Sequence, residues 1–288
     1  MFFENQNPSK RLKKYSFDFS SAEINRIRVF SETYKNSLES LRVNVGTVGA
    51  IDELNVLFEE LTKLSKLKNL RISMNRDNSS LEINNSSVQH LRRIGENCPQ
   101  ISGLELQLNT NSSEVNQNIF NALNDFKNLR KLRITLSTSD KSRPFLLTSK
   151  MLNNLKNLSH LTINGSSDGS LLLNDEFFES IESYLPKLQH LSFESTDITE
   201  RTVESISKLK DLKSVDIKSQ SMEPISDLQV MEVIRNCPKL KYFNLNNRQM
   251  SVNLKGKELK KMRKNQRTGR QEESGRRKGW FYGKRYEL

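Results

Sequence analysis

Apolar residues recur along the chain in one short pattern, Leu-x-x-Leu-x-Leu or a close variant, between longer stretches of mixed polarity. Nine copies begin 24 to 34 residues apart, with a mean spacing of about 28. The copies are Leu12/Tyr15/Phe17, Leu38/Leu41/Val43, Leu67/Leu70/Ile72, Ile101/Leu104/Leu106, Leu129/Leu132/Ile134, Leu158/Leu161/Ile163, Leu188/Leu191/Phe193, Leu212/Val215/Ile217 and Leu240/Phe243/Leu245. A period of this length indicates a repeat protein, in which each unit buries its apolar edge against its neighbours.

Each copy, together with the segment that follows it, predicts a strand and then a helix. The end of a copy reads apolar-x-apolar, which is typical of a strand with one buried side. Several intervening segments repeat apolar residues at three- and four-residue steps and begin near Ser, Thr, Asn or Asp, which favour helix N-caps. These predicted helices span 20–34, 86–98, 113–126, 174–185, 199–209 and 226–237. In the first of them, Ser20 and Glu23 have the spacing of a capping box.

A strand followed by a returning helix, repeated many times, predicts a parallel sheet with all helices on one side. Neighbouring strands lie about 4.8 Å apart, whereas helices need roughly 10 Å each. The helical side must therefore splay, and the array is expected to curve into a horseshoe with a concave sheet and convex helices. The predicted fold class is α/β, a solenoid of about nine repeats.

This combination resembles the leucine-rich repeat family, whose signature is Leu-x-x-Leu-x-Leu-x-x-Asn. Asn75 and Asn109 match the family's asparagine position, and the long repeat is similar to that of the intracellular subclasses. The segments ENCPQI and RNCPKL are similar to the Cys-Pro repeats of F-box-type leucine-rich repeat proteins. The resemblance covers residues 10–250, and it places the repeat domain at residues 1–254.

The resemblance implies a non-enzymatic scaffold that recognises protein partners. For the F-box-type relatives, it also implies the substrate-recognition part of an SCF-type, cullin-based ubiquitin ligase. The F-box, the helical module that would bind the ligase adaptor, is not seen in this sequence. Of the two expectations, the ligase role is the more specific one.

Cys98 and Cys237 occupy the same position in two distant repeats, where a helix turns back towards a strand. We expect both to be small, buried packing residues. A redox or metal-binding role is the alternative, but neither residue has a second cysteine or a histidine at ligand spacing.

Residues that flank and interrupt the apolar strand positions are predicted to point away from the core, onto the concave face. Nearly all of them are polar, which supports this alternation. The candidate partner-binding residues are Arg42, Arg71, Lys131, Arg133, His160, His190, Glu194 and Tyr242. The basic members lie towards the N-terminal half and Glu194 follows them, a division of charge that would orient a protein partner. The alternative is a polar face that contacts only solvent.

His160 and His190 are equivalent residues in adjacent repeats, so we expect their side chains about one strand spacing apart. Two neighbouring imidazoles are able to bind a metal ion or to respond to pH. No third ligand is evident, so a polar lining role without a metal is favoured.

Several common catalytic and cofactor motifs are absent from the sequence. It contains no His-Glu-x-x-His or Cys-x-x-Cys motif. The glycine-rich segment GSSDGS at 165–170 lacks the Lys-Ser/Thr pair of a phosphate-binding loop and is interpreted as a connecting loop. We therefore expect a protein that is not an enzyme and needs no cofactor.

The positive charge is concentrated at the C-terminal end. The chain carries a net charge of +12, and residues 255–288 hold 13 Lys or Arg against 4 Glu, a net +9. Leu254, Leu259 and Met262 favour a capping helix at the start of this tail, and the rest is predicted to be disordered.

This basic tail supports an alternative function, that of an RNA- or chromatin-associated protein. Its cations would contact phosphates and its aromatic residues would stack on bases. The candidate nucleic-acid-binding residues are Lys260, Lys261, Arg263, Lys264, Arg276, Arg277 and Trp280. A tail that only aids solubility is the remaining alternative.

The cellular location is constrained by three observations. No stretch approaches the run of about 18 apolar residues that a membrane-spanning helix needs. The start, MFFENQNPSKRLKK, has no apolar run before a small-residue cleavage site, and two cysteines do not make a disulfide framework. We expect a cytoplasmic or nuclear protein without a membrane partner.

Overall fold

The structure of the chain is a computed structural model. It describes residues 12–46, 48, 50–74, 81–139, 145–165, 171–195, 198–219, 225–246 and 251–268. The chain forms two compact units, and the described residues pass from the first unit to the second between Phe145 and Leu146.

The first unit contains five parallel strands in sequence order, with helices between them. The strands are β1 (Lys14–Phe19), β2 (Ser40–Val45), β3 (Asn69–Met74), β4 (Gly103–Thr110) and β5 (Lys131–Thr138). The helices are a 3₁₀ turn (Ser21–Glu23), α1 (Ile24–Tyr34), α2 (Ile51–Leu61), α3 (Asn85–Asn97) and α4 (Ser113–Leu123). Each helix contacts the next along the chain. This is the predicted strand-and-helix repeat.

The second unit repeats this arrangement and ends differently. Its strands are β7 (His160–Gly165), β8 (Leu171–Leu172), β9 (His190–Ser195), β10 (Ser214–Ser219), β11 (Tyr242–Asn246) and β12 (Ser251–Lys255), and a two-residue strand β6 (Phe145–Leu146) precedes them. The helices are a 3₁₀ helix (Ser149–Leu152), α5 (Asp175–Phe178), α6 (Ile181–Tyr184), α7 (Glu200–Ser207), α8 (Asp227–Asn236) and α9 (Gly256–Thr268). Strands β7, β9, β10 and β11 are parallel neighbours, whereas β12 pairs antiparallel with β11.

Equivalent apolar residues of successive repeats stand opposite each other in the strand register. In the first unit, one column runs Tyr15, Leu41, Leu70, Leu104, Leu132. In the second unit, the same column runs Leu161, Leu191, Val215, Phe243. All of these side chains except that of Tyr15 are buried. The prediction that each of the nine patterns ends on a strand is confirmed, and within each unit the equivalent residues share one register.

Two predicted helices differ from the observed ones. The segment 174–185 forms two short helices, α5 and α6, because Ser180 takes a left-handed backbone conformation with φ of 56°, which interrupts helical hydrogen bonding. The first helix begins with a 3₁₀ turn, where Ser20 makes no side-chain cap and the Glu23 carboxylate accepts from Arg26 at 2.8 Å. The predicted capping box of Ser20 and Glu23 was therefore wrong.

Helix formation also occurs where the sequence analysis named none. Helix α2 has Leu54, Leu57, Phe58 and Leu61 buried on one side, a helical spacing that was present in the sequence. The predicted helices over 86–98, 113–126, 199–209 and 226–237 correspond to α3, α4, α7 and α8. Asn84, Ser112 and Thr199 cap three of them by accepting backbone N–H bonds.

Regular structure continues beyond residue 254, where the repeat domain was predicted to end. Strand β12 pairs with β11, and the following helix α9 contacts α8 and buries Leu259 completely. The predicted capping helix forms and extends to Thr268, but Leu254, which was assigned to it, lies on β12.

Arg263 of α9 is a structural residue. Its guanidinium donates to the backbone carbonyl oxygens of Ile234, Cys237 and Leu240 at 3.2, 2.8 and 3.2 Å. The last carbonyls of a helix have no partner within the helix, so Arg263 satisfies acceptors at and just beyond the C-terminus of α8.

The two cysteines have identical roles in their repeats. Each ends a helix, and each thiol donates to backbone carbonyls at the end of the helix in the preceding repeat. Cys98 Sγ lies 3.6 Å from the Leu61 oxygen, and Cys237 Sγ lies 3.7 Å from the Ile206 oxygen. Both thiols are buried and free of disulfides, as the packing role predicts.

Burial makes these thiols unreactive. Desolvation raises the pKa of both Cys98 and Cys237 from 9.0 to about 12. We expect the folded protein to react with a disulfide reagent at pH 8.5 at least about 100-fold more slowly than the protein in concentrated guanidinium chloride, because the thiolate is the nucleophile. Equal rates in the two states would contradict this burial.

The same shift predicts the effect of pH on stability. Because folding raises the pKa of the two thiols, their protonated form stabilises the folded state. This contribution to the free energy of unfolding is fully present below pH 9 and is lost as pH rises towards 12. Urea denaturation of a Cys98→Ala, Cys237→Ala variant should show a smaller loss of stability over that range than the parent protein shows.

We expect Arg263→Met to lower the free energy of unfolding by about 1–3 kcal/mol, because it keeps the apolar stem but leaves the α8 carbonyls unsatisfied. The matched control is Lys264→Met, an exposed neighbour on the same helix, with an expected change within about 0.5 kcal/mol. Urea denaturation of the full chain measures both. Equal effects would show that Arg263 does not cap α8.

Candidate functional site

The candidate partner-binding residues lie on the side of the strands opposite the buried columns. Arg42 is exposed between buried Leu41 and Val43, and Arg133 is exposed between buried Leu132 and Ile134. Successive side chains of a strand point to opposite faces. In each unit, the non-core side chains therefore share one face, which we call the polar strand face.

A charged row crosses the polar strand face of the first unit. The register places Ser16, Arg42, Arg71, Glu105 and Arg133 opposite one another on β1 to β5. Glu105 forms ion pairs with the arginines on both sides, to Arg71 at 3.3 Å and to Arg133 at 3.9 Å. The sequence analysis did not select Glu105, although its position between two arginines was visible in the alignment of the repeats.

Hydrogen bonds between side chains order the next row of the same face. Arg42 Nε donates to Asn44 at 3.3 Å, and Asn44 donates to Asp18 at 2.8 Å. Ser73 donates to Gln107 at 3.0 Å. Lys131 is exposed and has no ion pair with any residue of the described ranges. The face therefore keeps a net positive charge while several of its side chains are held in place.

The polar strand face of the second unit carries a stacked histidine pair. The rings of His160 and His190 lie 4.1 Å apart between centroids, with planes 14° apart, as expected for register partners on β7 and β9. Ser159 Oγ lies 2.9 Å from His160 Nδ1. In the described part of the chain, no group of three or more His, Cys, Asp or Glu side chains is placed to hold a metal ion.

The row of the histidines continues through Ser214 to Tyr242 in the strand register. Partial burial, and secondarily the Asp216 carboxylate, raises the pKa of Tyr242, so its hydroxyl stays protonated at neutral pH. Asp216 accepts a hydrogen bond from Asn244 at 2.7 Å. Glu194 is exposed and stands opposite Lys218. This face thus combines flat aromatic rings with charged and amide groups.

The candidate nucleic-acid residues of the C-terminal segment divide into three groups. Lys260, Lys261 and Lys264 are exposed on α9. Arg263 is turned towards α8, as described above. Arg276, Arg277 and Trp280 lie outside the described residues.

Among the described helices, none is long and apolar enough to cross a membrane. Both cysteines are buried. The side chains of the polar strand faces are able to form ion pairs, hydrogen bonds and aromatic contacts.

Comparison with known proteins identifies the architecture. No family model matches the chain, and no curated protein matches it. The structure is similar to a chain of the crystal structure of the Rad7 and Elc1 complex in yeast, with a TM-score of 0.54 and 16% sequence identity, over 80% of this chain and 56% of that chain. It is also similar to a chain of the TLR13–ssRNA13 complex, with a TM-score of 0.43 and 17% identity, over 78% of this chain and 28% of that chain.

These similarities concern the fold. The chain spans 56% of the Rad7–Elc1 chain that it matches. Together with the parallel register of both units, the similarity confirms the α/β leucine-rich repeat fold that the sequence predicts.

Proposed function

We propose that this protein is a non-enzymatic recognition scaffold that binds a protein partner through its polar strand faces. The observation that supports this most directly is the row of Arg42, Arg71, Glu105 and Arg133 in the first unit. Three guanidinium groups in one register present many hydrogen-bond donors on a face that the described helices leave uncovered. Arginine is enriched in protein interfaces and among the residues that dominate binding energy.

The ion pairs within this row do not oppose partner binding. Arg71 and Arg133 both reach Glu105 while partly exposed, and exposed ion pairs are worth about 0–1 kcal/mol. An acidic group on a partner competes with Glu105 at little cost. Glu105 meanwhile holds the two long side chains in place, which reduces the entropy lost on binding.

The second unit offers a different kind of contact. His160, His190 and Tyr242 present flat rings on one row of the polar strand face, and aromatic side chains are enriched in interfaces. Glu194 adds an exposed negative charge. A partner that contacts both kinds of surface needs acidic groups for the first unit and flat or basic groups for the second.

We further propose that the chain acts as the substrate-recognition part of an SCF-type ubiquitin ligase. Two observations support this role: the Cys-Pro repeats, which resemble those of F-box-type proteins, and the similarity to a chain of a protein complex, that of Rad7 with Elc1. Cys98 and Cys237 have the same structural role in their repeats, so the two Cys-Pro segments are structurally equivalent to each other within this chain.

The scaffold function is tested by the variant Arg71→Glu, Arg133→Glu, Glu194→Arg in the full chain. We expect the amount of partner protein captured from cell extract to fall at least about tenfold, because arginine is enriched among the interface residues whose loss costs more than about 1 kcal/mol, and charge reversal adds repulsion. Quantitative mass spectrometry of the captured proteins measures this, after thermal denaturation has shown that the variant folds.

The matched control is Lys66→Glu, Arg93→Glu, Glu96→Arg, which makes the same charge changes at exposed positions outside the strands. It should keep the partners of the parent protein. If the strand-face variant folds and keeps every partner, the polar strand face is not the binding surface. If partners depend on that face but no cullin-type ligase subunit is among the captured proteins, the ligase role is wrong and the scaffold function stands.

A further inference from the structure

Five of the eight residues that line a cleft in the second unit are cationic, and none of the eight lies on a strand. The cleft has a volume of about 380 Å³ and is formed by the segments that enter β10 and β11 and by one side of α9. Its charged lining residues are Lys213, Lys239, Lys241, Lys260 and Arg263, and no acidic residue among those that the structure describes lines it.

Few of these charges are neutralised by their surroundings. Lys239 pairs with Asp211 at 2.5 Å, and this pair is exposed. Lys213 donates to the neutral Gln189 side chain at 2.8 Å. Lys241 and Lys260 form no ion pair with a residue of the described ranges. The cleft therefore holds an excess of positive charge.

The strand register concentrates this charge. Lys213 and Lys241 immediately precede Ser214 and Tyr242, which are register partners, and the Lys241 N–H donates to the Lys213 carbonyl oxygen at 2.7 Å. The two lysines are therefore neighbours in the segments that enter β10 and β11, and both line the cleft. An anionic ligand in the cleft would meet both cations.

The positive surface continues from the cleft along α9. Lys257, Lys260, Lys261 and Lys264 are exposed, and their spacing places them on one side of the helix. They cover about 10 Å of the helix axis. The opposite side carries Leu259 and Arg263, which pack against the body of the unit. We call the cleft and this row of lysines the basic track.

We propose that the basic track binds the phosphodiester backbone of single-stranded nucleic acid. A row of cations suits a polymer with regularly repeated charge, and a positively charged groove that follows the backbone is the usual single-strand site. The alternative of a phosphorylated or acidic protein segment is less well matched. Such segments are recognised by arginine clusters, and the one arginine of the cleft already donates to three backbone carbonyls.

The size of the cleft favours a single strand. Its volume of about 380 Å³ is at the lower end of the range of small-ligand sites, roughly 300–1,000 Å³. This interface is independent of the proposed protein-binding face. Compared with the candidates selected from the sequence, it omits Arg263, keeps Lys260 and adds Lys213 and Lys241.

The test measures the fluorescence anisotropy of a labelled twelve-nucleotide oligouridylate with the full chain and with the variant Lys213→Gln, Lys241→Gln, Lys260→Gln. At about 0.1 M salt, we expect the variant to bind at least about tenfold more weakly. The slope of log affinity against log salt should fall in magnitude by about 2, because each lost phosphate contact on a single strand contributes about 0.7.

The control variant Lys14→Gln, Lys66→Gln, Lys150→Gln removes the same net charge at exposed positions elsewhere, and it should bind within about twofold of the parent protein. Equal weakening by both variants would show that only net charge matters, and it would overturn the proposal. So would the absence of oligouridylate binding by the parent protein at micromolar concentration.

Two competition measurements address the ligand class. A twelve-base-pair duplex that binds the parent protein as tightly as the single strand would overturn the single-strand assignment. Displacement of the oligouridylate by polyglutamate of equal charge concentration, at equal efficiency, would instead favour an acidic protein partner. If Lys213→Gln impairs folding, the double variant Lys241→Gln, Lys260→Gln applies the same criteria.

The strand-face variant Arg71→Glu, Arg133→Glu, Glu194→Arg separates this proposal from the proposed scaffold function. It should bind the oligouridylate as the parent protein does. Loss of nucleic-acid binding in that variant would place the interface on the polar strand face and would contradict the basic track.

Discussion

Stacking of equivalent apolar residues in register is the constraint on which the rest of the molecule depends. A single strand such as β3 cannot bury Leu70 and Ile72 by itself, and each column is closed only by the strands on either side. Burying one leucine side chain is worth about 1.5–3 kcal/mol, so a shift of register by one residue would expose an entire column. The same alternation turns every second side chain outwards, and these side chains form the polar strand face.

Neighbouring repeats are also joined through the ends of their helices. Cys98 and Cys237 donate to carbonyls at the ends of α2 and α7, and Arg263 performs a similar task for α8 from the last helix. Asp175 joins α5 to α7 by accepting hydrogen bonds from Thr199 and Thr202. Burial of the Asp175 carboxylate raises its pKa, but these hydrogen bonds have the larger combined effect, so the pKa is lowered. Polar groups that one repeat leaves unsatisfied are thus satisfied by the next.

The two proposed surfaces use charge in different ways. On the polar strand face, Glu105 lies between Arg71 and Arg133, so the arginines are ordered and partly neutralised. In the basic track, the lysines have few acidic neighbours and the one arginine is committed to the backbone. The first arrangement suits a partner of defined shape with matching acidic groups, and the second suits a flexible polyanion whose binding is sensitive to salt.

The sequence by itself determined the repeat, the strand positions, the buried columns and the polarity of the strand face, because alternation along a strand and a period of about 28 residues are local properties of the chain. It also indicated the shared position of the two cysteines. Only the tertiary structure decided that Glu105 joins two arginines, that Ser180 splits a helix, that Arg263 points inwards and that Lys213, Lys241 and Lys260 share a cleft. These features depend on which side chains meet across repeats, and on the docking of α9 against α8, which no local pattern specifies.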